Sequence, residues 1–225
     1  MKLSRAPLLL AFLGLSMPAM ADSSNGIAIK AGTLGAGIEY YHGLTDNVNV
    51  RLGVNAFNAN GEFEEASLKY DAELELRSAS LIFDYHPFDS SGFRMSAGAF
   101  YNGNKANLEA LAVNGEFEFN GQIYKVEDVG SAKGQIEFQK FAPYLGLGWA
   151  FAPTSTSNWG FNVELGAYYH NTPQTQLNVT CGQALSTSQC DVLLDNVVAE
   201  QKEFEDDIKE YKFYPVFNVG IQYRF

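Results

Sequence analysis

The stretch that decides the fold is the last one, Phe217-Asn218-Val219-Gly220-Ile221-Gln222-Tyr223-Arg224-Phe225. Apolar and polar residues alternate strictly along it. One face carries Phe217, Val219, Ile221, Tyr223 and Phe225, and the other carries Asn218, Gly220, Gln222 and Arg224. Alternation with a period of two predicts a β-strand that is apolar on one side only.

The same alternation recurs along the chain in segments of about ten residues. Together with the last stretch, the segments are 24–31, 34–41, 48–55, 80–85, 93–101, 141–151 and 159–169. In the second of them the apolar face is formed by Leu34, Ala36, Ile38 and Tyr40, after a tight turn at Gly32-Thr33. At Leu74 and Leu76 the phase slips, which indicates either a β-bulge or a strand end that stands clear of a membrane.

Three features separate a membrane barrel from a soluble β-sandwich, which also alternates. The polar face carries many glycines and isolated charges, aromatic residues lie at the segment ends, and short connections alternate with long polar ones. Outer-membrane barrels combine these features. The sequence therefore predicts an all-β fold, an eight-stranded antiparallel transmembrane β-barrel in the bacterial outer membrane. Its long acidic extracellular loops are expected at 58–70, 103–140 and 171–212.

The first residues have the three parts of a secretory signal peptide. Lys2 and Arg5 precede the apolar run 6–15, and Ala19-Met20-Ala21 has the small-x-small form of a cleavage site. We expect residues 1–21 to be the signal peptide and 22–225 the barrel. Because export leads to an oxidising compartment, Cys181 and Cys190 are expected to form a disulfide.

Composition argues against several classes of protein. The formal net charge of −11 is unfavourable for binding nucleic acid. Three histidines and two cysteines leave little material for a metal site, and no nucleotide-binding motif is present, so we expect no cofactor. His42 and His86 fall in the short turns, and no histidine is placed with a serine or carboxylate as catalysis requires, so we expect no enzyme activity.

Seven charged residues fall on the inward face of the predicted barrel. They are Lys30, Glu39, Arg51, Asp84, Arg94, Glu164 and Arg224. Buried charges in an eight-stranded barrel, whose interior is just wide enough for its side chains, are expected to pair. The set is consistent with a salt-bridge network that closes the lumen and with a narrow polar path that selects solutes.

Two of the long connections are predicted to contain secondary structure. Asn120-Gly121 lies between two short alternating runs within 116–125, which predicts a β-hairpin. In 192–208, apolar residues recur at helical spacing with acids between them, which predicts a short amphipathic helix over the barrel mouth.

Several of these stretches resemble the CarO-type family of small outer-membrane barrels, which is named for an association with carbapenem susceptibility. The matching pieces are Gly32-Thr33 before a glycine-rich strand, 142–148 (APYLGLG), 158–160 (NWG), 164–169 (ELGAYY) and 212–216 (KFYPV) after an acidic run. The resemblance covers most of the chain after residue 21. It implies entry of small amino acids, notably basic ones such as ornithine, and of carbapenems.

The expected function is passive uptake of small cationic or zwitterionic solutes, such as basic amino acids, through a narrow channel. Acidic loops favour this, since a negative rim concentrates cations. The alternative is a closed structural or surface-interaction barrel whose loops bind a ligand, lipopolysaccharide or a protein. We expect a monomer that contacts outer-membrane lipid and lipopolysaccharide, and that the barrel-assembly machinery recognises through Phe217, Val219, Ile221, Tyr223 and Phe225.

Deleting Phe225 should lower the amount of folded barrel in the outer membrane, because the assembly signal then loses its terminal aromatic residue. The amount of folded protein in isolated outer membranes measures this. An unchanged yield would contradict the terminal-strand assignment.

Overall fold

A computed structural model describes residues 25–65, 68–88, 91–112, 116–151 and 157–225. The expected signal peptide, 1–21, lies outside them. In chain order the elements are β1 (Asn25–Gly32), β2 (Gly35–Thr45), β3 (Val48–Glu65), β4 (Leu68–Tyr85), β5 (Phe93–Asn102), β6 (Lys105–Ala112), β7 (Glu116–Phe119), β8 (Gln122–Lys125), β9 (Val129–Glu137), β10 (Phe141–Phe151), β11 (Trp159–Tyr169), β12 (Gln174–Cys181), α1 (Thr187–Ile208) and β13 (Phe213–Arg224).

Eight of these strands close into an antiparallel barrel, which confirms the predicted fold and strand count. Around the barrel the order is β1, β2, β3, β4, β5, β10, β11 and β13. The last strand pairs with the first from Arg224 opposite Gly26 to Asn218 opposite Gly32, so the barrel has no open edge. We call the end with both strand termini and the short turns the lower end, and the opposite end the upper end.

The first hairpin turns at Thr33-Leu34, one residue later than predicted, because Gly32 pairs with Gly35. Gly35 has φ +88°, a value that a side chain disfavours. The prediction that Leu34 shares the outer face was wrong. Leu34 is 1% exposed and packs inside the barrel against Phe100 and Val216, because the turn folds its side chain over the lumen.

Two barrel strands continue far beyond the barrel and carry a second sheet, which we call the upper sheet. β3 and β4 pair without a break from Val48 opposite Tyr85 to Glu65 opposite Leu68. β6 joins the upper half of β4, β9 joins β6, and β12 joins β9. The stretches expected to be long loops thus contain regular strands, and 171–212 contains a helix as well.

The polarity of β3 and β4 inverts where they leave the barrel. Within the barrel, outward residues such as Val54 and Leu81 are apolar and inward residues such as Asn55 and Ser80 are polar. Above Arg77 the same outer face becomes charged, as at Glu75, while the other face becomes apolar. Because the register is continuous, the phase slip at Leu74 and Leu76 is not a bulge; the strands there stand clear of the apolar belt.

The predicted hairpin and helix are both present and build a small core beside the upper sheet. β7 and β8 turn at Asn120 and Gly121, whose φ values are +50° and +70°. α1 packs Leu193 and Val197 against aromatic residues of the hairpin and against Val179 of β12. No helix in the described part of the chain is long and apolar enough to cross a membrane.

The predicted disulfide between Cys181 and Cys190 is present, with Cα atoms 5.7 Å apart. It joins the end of β12 to the first turn of α1. The bond therefore fixes the helix to the edge strand of the upper sheet.

The inversion predicts that a new charge destabilises the outer face of the barrel but not that of the upper sheet. Leu145→Arg should lower the free energy of unfolding by roughly 2–4 kcal/mol, since Leu145 is 71% exposed at the middle of the apolar belt. Gln176→Arg, on the exposed polar side of β12, should change it by less than about 0.5 kcal/mol. Urea titration of the barrels in lipid vesicles measures both, and equal losses would contradict the assigned membrane boundary.

Candidate functional site

Six inward-pointing charges meet in the middle of the barrel, one from each of six strands. β1 to β5 supply Lys30, Glu39, Arg51, Asp84 and Arg94 in chain order, and β11 supplies Glu164. All six are at most 5% exposed. Each lies at an inward position of the period-two pattern, so the closed barrel brings together residues that are up to 134 positions apart.

Arg51 is the centre of this network. Its guanidinium lies 2.9 Å from Glu39 Oε2, 2.8 Å from Glu164 Oε2 and 2.6 Å from Asp84 Oδ2. Its Nη2 also donates to Ser96 Oγ at 3.2 Å. One cation thus pairs with carboxylates from three strands, and buried charges require such pairing.

Lys30 and Arg94 complete the charge balance at the flanks. Lys30 Nζ donates to Glu39 Oε1 at 2.8 Å. Arg94 Nη2 donates to Glu164 Oε2 at 3.3 Å, and its Nε lies 3.7 Å from Asp84 Oδ1. Three basic and three acidic groups leave the buried network with no net charge.

Glycines on the inner wall make room for these long side chains. A Cβ atom at Gly148 would lie 2.8 Å from Arg94 Nε, and one at Gly53 would lie 2.8 Å from Ser80 Oγ and 3.2 Å from Glu39 Oε1. The abundance of glycine on the polar face of the sequence therefore has a packing cause.

An apolar layer closes the lumen on the upper side of the charges. It consists of Leu34, Ile82, Phe100, Ala142, Tyr144, Tyr168 and Val216, each at most 2% exposed. The ring centroid of Phe100 lies 5.2 Å from those of Tyr144 and Tyr168. Tyr144 Oη donates to Glu164 Oε1 at 2.5 Å, so the layer is tied to the network below it.

Sequence reasoning missed this layer. Ile82 and Tyr144 stand on the inward face of the alternation, and apolar or aromatic residues at such positions were the available signal. The contribution of Leu34 depends on the exact turn and could not be read from the alternation.

Below the charges the lumen opens into a cavity of about 530 Å³, which we call the lower cavity. Its charged lining residues are Glu39, Arg51, Asp84, Arg94 and Arg224. His86 also lines it, and burial lowers the pKa of this histidine below its usual value despite the nearby carboxylate of Asp84. The shift favours the neutral form of His86.

Arg224 does not join the buried network, although the sequence placed it with the lumen charges. It lies at the lower end of β13, its side chain is exposed, and no ion pair to it is found among the described residues. The physical reason is its height in the barrel: β1 pairs it with Gly26, two inward positions below Lys30.

The residues of the predicted assembly signal lie where the alternation puts them. Phe217, Val219 and Ile221 are exposed on the outer face of β13. Tyr223 packs beside Trp159, with ring centroids 4.9 Å apart, and Phe225 follows the strand. Their role in assembly stays a prediction.

The upper sheet carries a second polar feature, three rows of side chains on one face, which we call the polar face. Direct pairing across β3, β4, β6, β9 and β12 aligns Asn58, Glu75, Lys105, Glu137 and Gln174; Asn60, Glu73, Asn107, Gln135 and Gln176; and Glu62, Asp71, Glu109, Lys133 and Asn178. All fifteen are hydrophilic, with six acids and two lysines. A groove of about 980 Å³ lies on the second and third of these rows, which are the two farther from the barrel.

No cluster of three or more potential metal-binding side chains occurs among the described residues. No protein-family model and no curated protein sequence matches the chain.

Two CarO proteins are among the solved structures to which this chain is similar. The crystal structure of CarO2 from Acinetobacter baumannii is 25% identical, with 89% of this chain and 98% of that chain covered and a TM-score of 0.59. That of CarO from the same organism is also 25% identical, with coverages of 89% and 97% and a TM-score of 0.57. The chain thus resembles CarO-type proteins over most of its length, and it is an outer-membrane β-barrel.

Removing the central cation should destabilise the barrel strongly. Arg51→Met leaves three buried carboxylates with only Lys30 and Arg94, and we expect a loss of about 3–5 kcal/mol in the free energy of unfolding. The control Arg77→Met removes an arginine whose side chain is 63% exposed and pairs with Glu75, and should cost at most about 1 kcal/mol. Urea titration in vesicles compares them, and equal small losses would contradict a structural network.

Proposed function

We propose that the protein is a non-enzymatic outer-membrane barrel that is closed at rest and captures small cationic or zwitterionic solutes on its extracellular polar face. The observation that carries the proposal is the closed lumen. A paired charge network fills its middle and a buried apolar layer covers that network. We therefore assign solute binding to a surface outside the barrel. Because outer-membrane barrels have their short turns on the periplasmic side, the lower end is taken to face the periplasm and the upper end the outside of the cell.

The charge of the polar face favours cations. Asp71 and Glu109 stand directly opposite each other on β4 and β6, and like charges in direct opposition are unfavourable in a sheet. Lys133 offsets part of this through Glu109, at 3.2 Å. An ammonium group bound beside Asp71 would relieve the remaining repulsion.

The amide side chains of the groove can bind the carboxylate group of a zwitterion. Asn60, Asn107, Gln135 and Asn178 line it together with the acids. Each amide offers both donors and an acceptor. Acids and amides in one groove thus provide partners for an ammonium and a carboxylate, as in a basic amino acid.

Neutralising the centre of the groove should weaken binding of ornithine. For Asp71→Asn/Glu73→Gln in folded barrels we expect at least a tenfold higher dissociation constant, about 1.4 kcal/mol, because two attractive charges are lost. Calorimetric titration with ornithine measures it, with glutamate as the anionic comparison. Added salt should weaken the wild-type interaction.

The matched control is Glu203→Gln/Asp206→Asn, which removes the same charge from exposed positions on α1. It should bind ornithine within twofold of wild type. Equal weakening in both double variants would reduce the effect to overall charge, and absence of saturable binding to wild type would contradict capture.

A second candidate function is slow passage of such solutes through the lumen, and one observation favours it. Several buried polar atoms of the inner wall have no hydrogen-bond partner in the described protein, namely Asn55 Oδ1, Ser80 Oγ and both amide atoms of Asn218. Buried polar groups are ordinarily satisfied by protein or water. This wall offers contacts to a small polar solute if the apolar layer moves aside.

Uptake into liposomes separates the two candidates. Labelled ornithine, arginine and glutamate are followed with wild type, with Tyr144→Ala, which thins the apolar layer, and with empty liposomes. Cation uptake above the empty control, increased by Tyr144→Ala, would support passage. Uptake equal to that of the empty liposomes would contradict passage and leave capture by a closed barrel as the candidate function. A carbapenem, which is bulkier than these amino acids, is not expected to pass the closed layer.

A further inference from the structure

The lower cavity, at the opposite end of the molecule from the polar face, contains a buried guanidinium that is incompletely satisfied. Arg94 is 5% exposed, and an arginine has five N–H donors. Within the described part of the chain it donates one hydrogen bond, to Glu164 at 3.3 Å, and Asp84 lies 3.7 Å away. Its Nε is buried without a hydrogen-bond partner among the described residues.

The neighbouring acids have little capacity left for Arg94, because Arg51 occupies them. Arg51 donates to both oxygens of Glu164, at 2.8 and 3.2 Å, and to Asp84 at 3.0 Å. Glu164 also accepts from Tyr144, and Asp84 accepts from Ser96 at 2.6 Å. Arg51 Nε also makes no hydrogen bond of good geometry among the described residues, but it lies 2.6 Å from Asp84 Oδ2. Arg94 Nε lies 3.7 Å from Asp84 Oδ1, so Arg94 keeps donors that an additional acceptor can use.

A second cation lies at the rim of the same cavity. Arg224 lines it, is exposed, and has no ion pair among the described residues. Asn49 and Gln222 add amide groups to the lining. The donors that remain available in the lower cavity therefore belong mainly to arginines and amides.

We propose that the lower cavity is a binding site for the carboxylate group of a small organic molecule that enters from the periplasm. Arg94 in the wall and Arg224 at the rim are the charged ligands of that carboxylate. A planar carboxylate matches the fork of a guanidinium, with which it forms strong charge-assisted hydrogen bonds. A volume of about 530 Å³ accommodates a molecule of amino-acid size. The site is independent of capture on the polar face.

The test uses the full folded barrel in detergent micelles and three probes of similar size: acetate, methylammonium and inorganic phosphate. Binding is followed by titration, and folding of each variant by heat-modifiable mobility in gels. Wild type should bind acetate saturably and should show no saturable binding of methylammonium. Phosphate that binds more tightly than acetate, or methylammonium that binds as well, would overturn the carboxylate assignment.

Arg224→Gln is the decisive variant, because the residue is exposed and outside the buried network. We expect its dissociation constant for acetate to rise at least fivefold, and that of Arg94→Gln to rise at least tenfold where that variant folds. The control Arg77→Gln removes an arginine at the other end of the barrel and should leave acetate binding unchanged.

Unchanged acetate binding in folded Arg224→Gln, or no saturable binding to wild type, would overturn the proposal. Failure of this site and failure of capture on the polar face are therefore distinguished by different variants and different probes.

Discussion

In the bilayer core every backbone N–H and C=O must find a partner within the protein, and this constraint shapes the rest of the structure. The pairing of β13 with β1 meets it by removing the open edge of the sheet. Closure at eight strands then fixes an interior that side chains can fill. Charges that the alternation directs inward are buried, so they must neutralise one another. Lys30, Arg51 and Arg94 do so with Glu39, Asp84 and Glu164.

Above the membrane the constraint is lifted, and β3 and β4 show the change directly. The same unbroken pair of strands carries Val54 and Leu81 outward in the barrel and Asn60 and Glu73 outward in the upper sheet. The upper sheet needs no closure because water can satisfy its edges. It instead buries its other face, in part against α1, as soluble sheets do.

Much of this arrangement could be predicted from single segments. The barrel, its eight strands, the inward position of the six network charges, the hairpin at Asn120-Gly121 and the disulfide follow from local alternation, turn chemistry and compartment. The upper sheet could not be predicted in this way. Its pairings join β6 to β4 and β12 to β9 across long separations, and its amide-rich and acidic rows resemble loops in composition.

The details of the lumen required geometry for the same reason. Whether Arg94 is satisfied depends on how Arg51 divides the carboxylates, and whether Arg224 reaches the network depends on its height along β13. Neither property is encoded in the spacing of residues along the chain.

The hydrogen bond from Tyr144 to Glu164 joins the two barriers of the lumen into one cooperative unit. The tyrosine ring belongs to the apolar layer and its hydroxyl to the charge network. Displacement of that ring therefore deprives Glu164 of a donor, and rearrangement of Glu164 releases the ring. The free-energy costs of disturbing layer and network are consequently not additive, and the barrier in the lumen responds as a whole rather than one layer at a time.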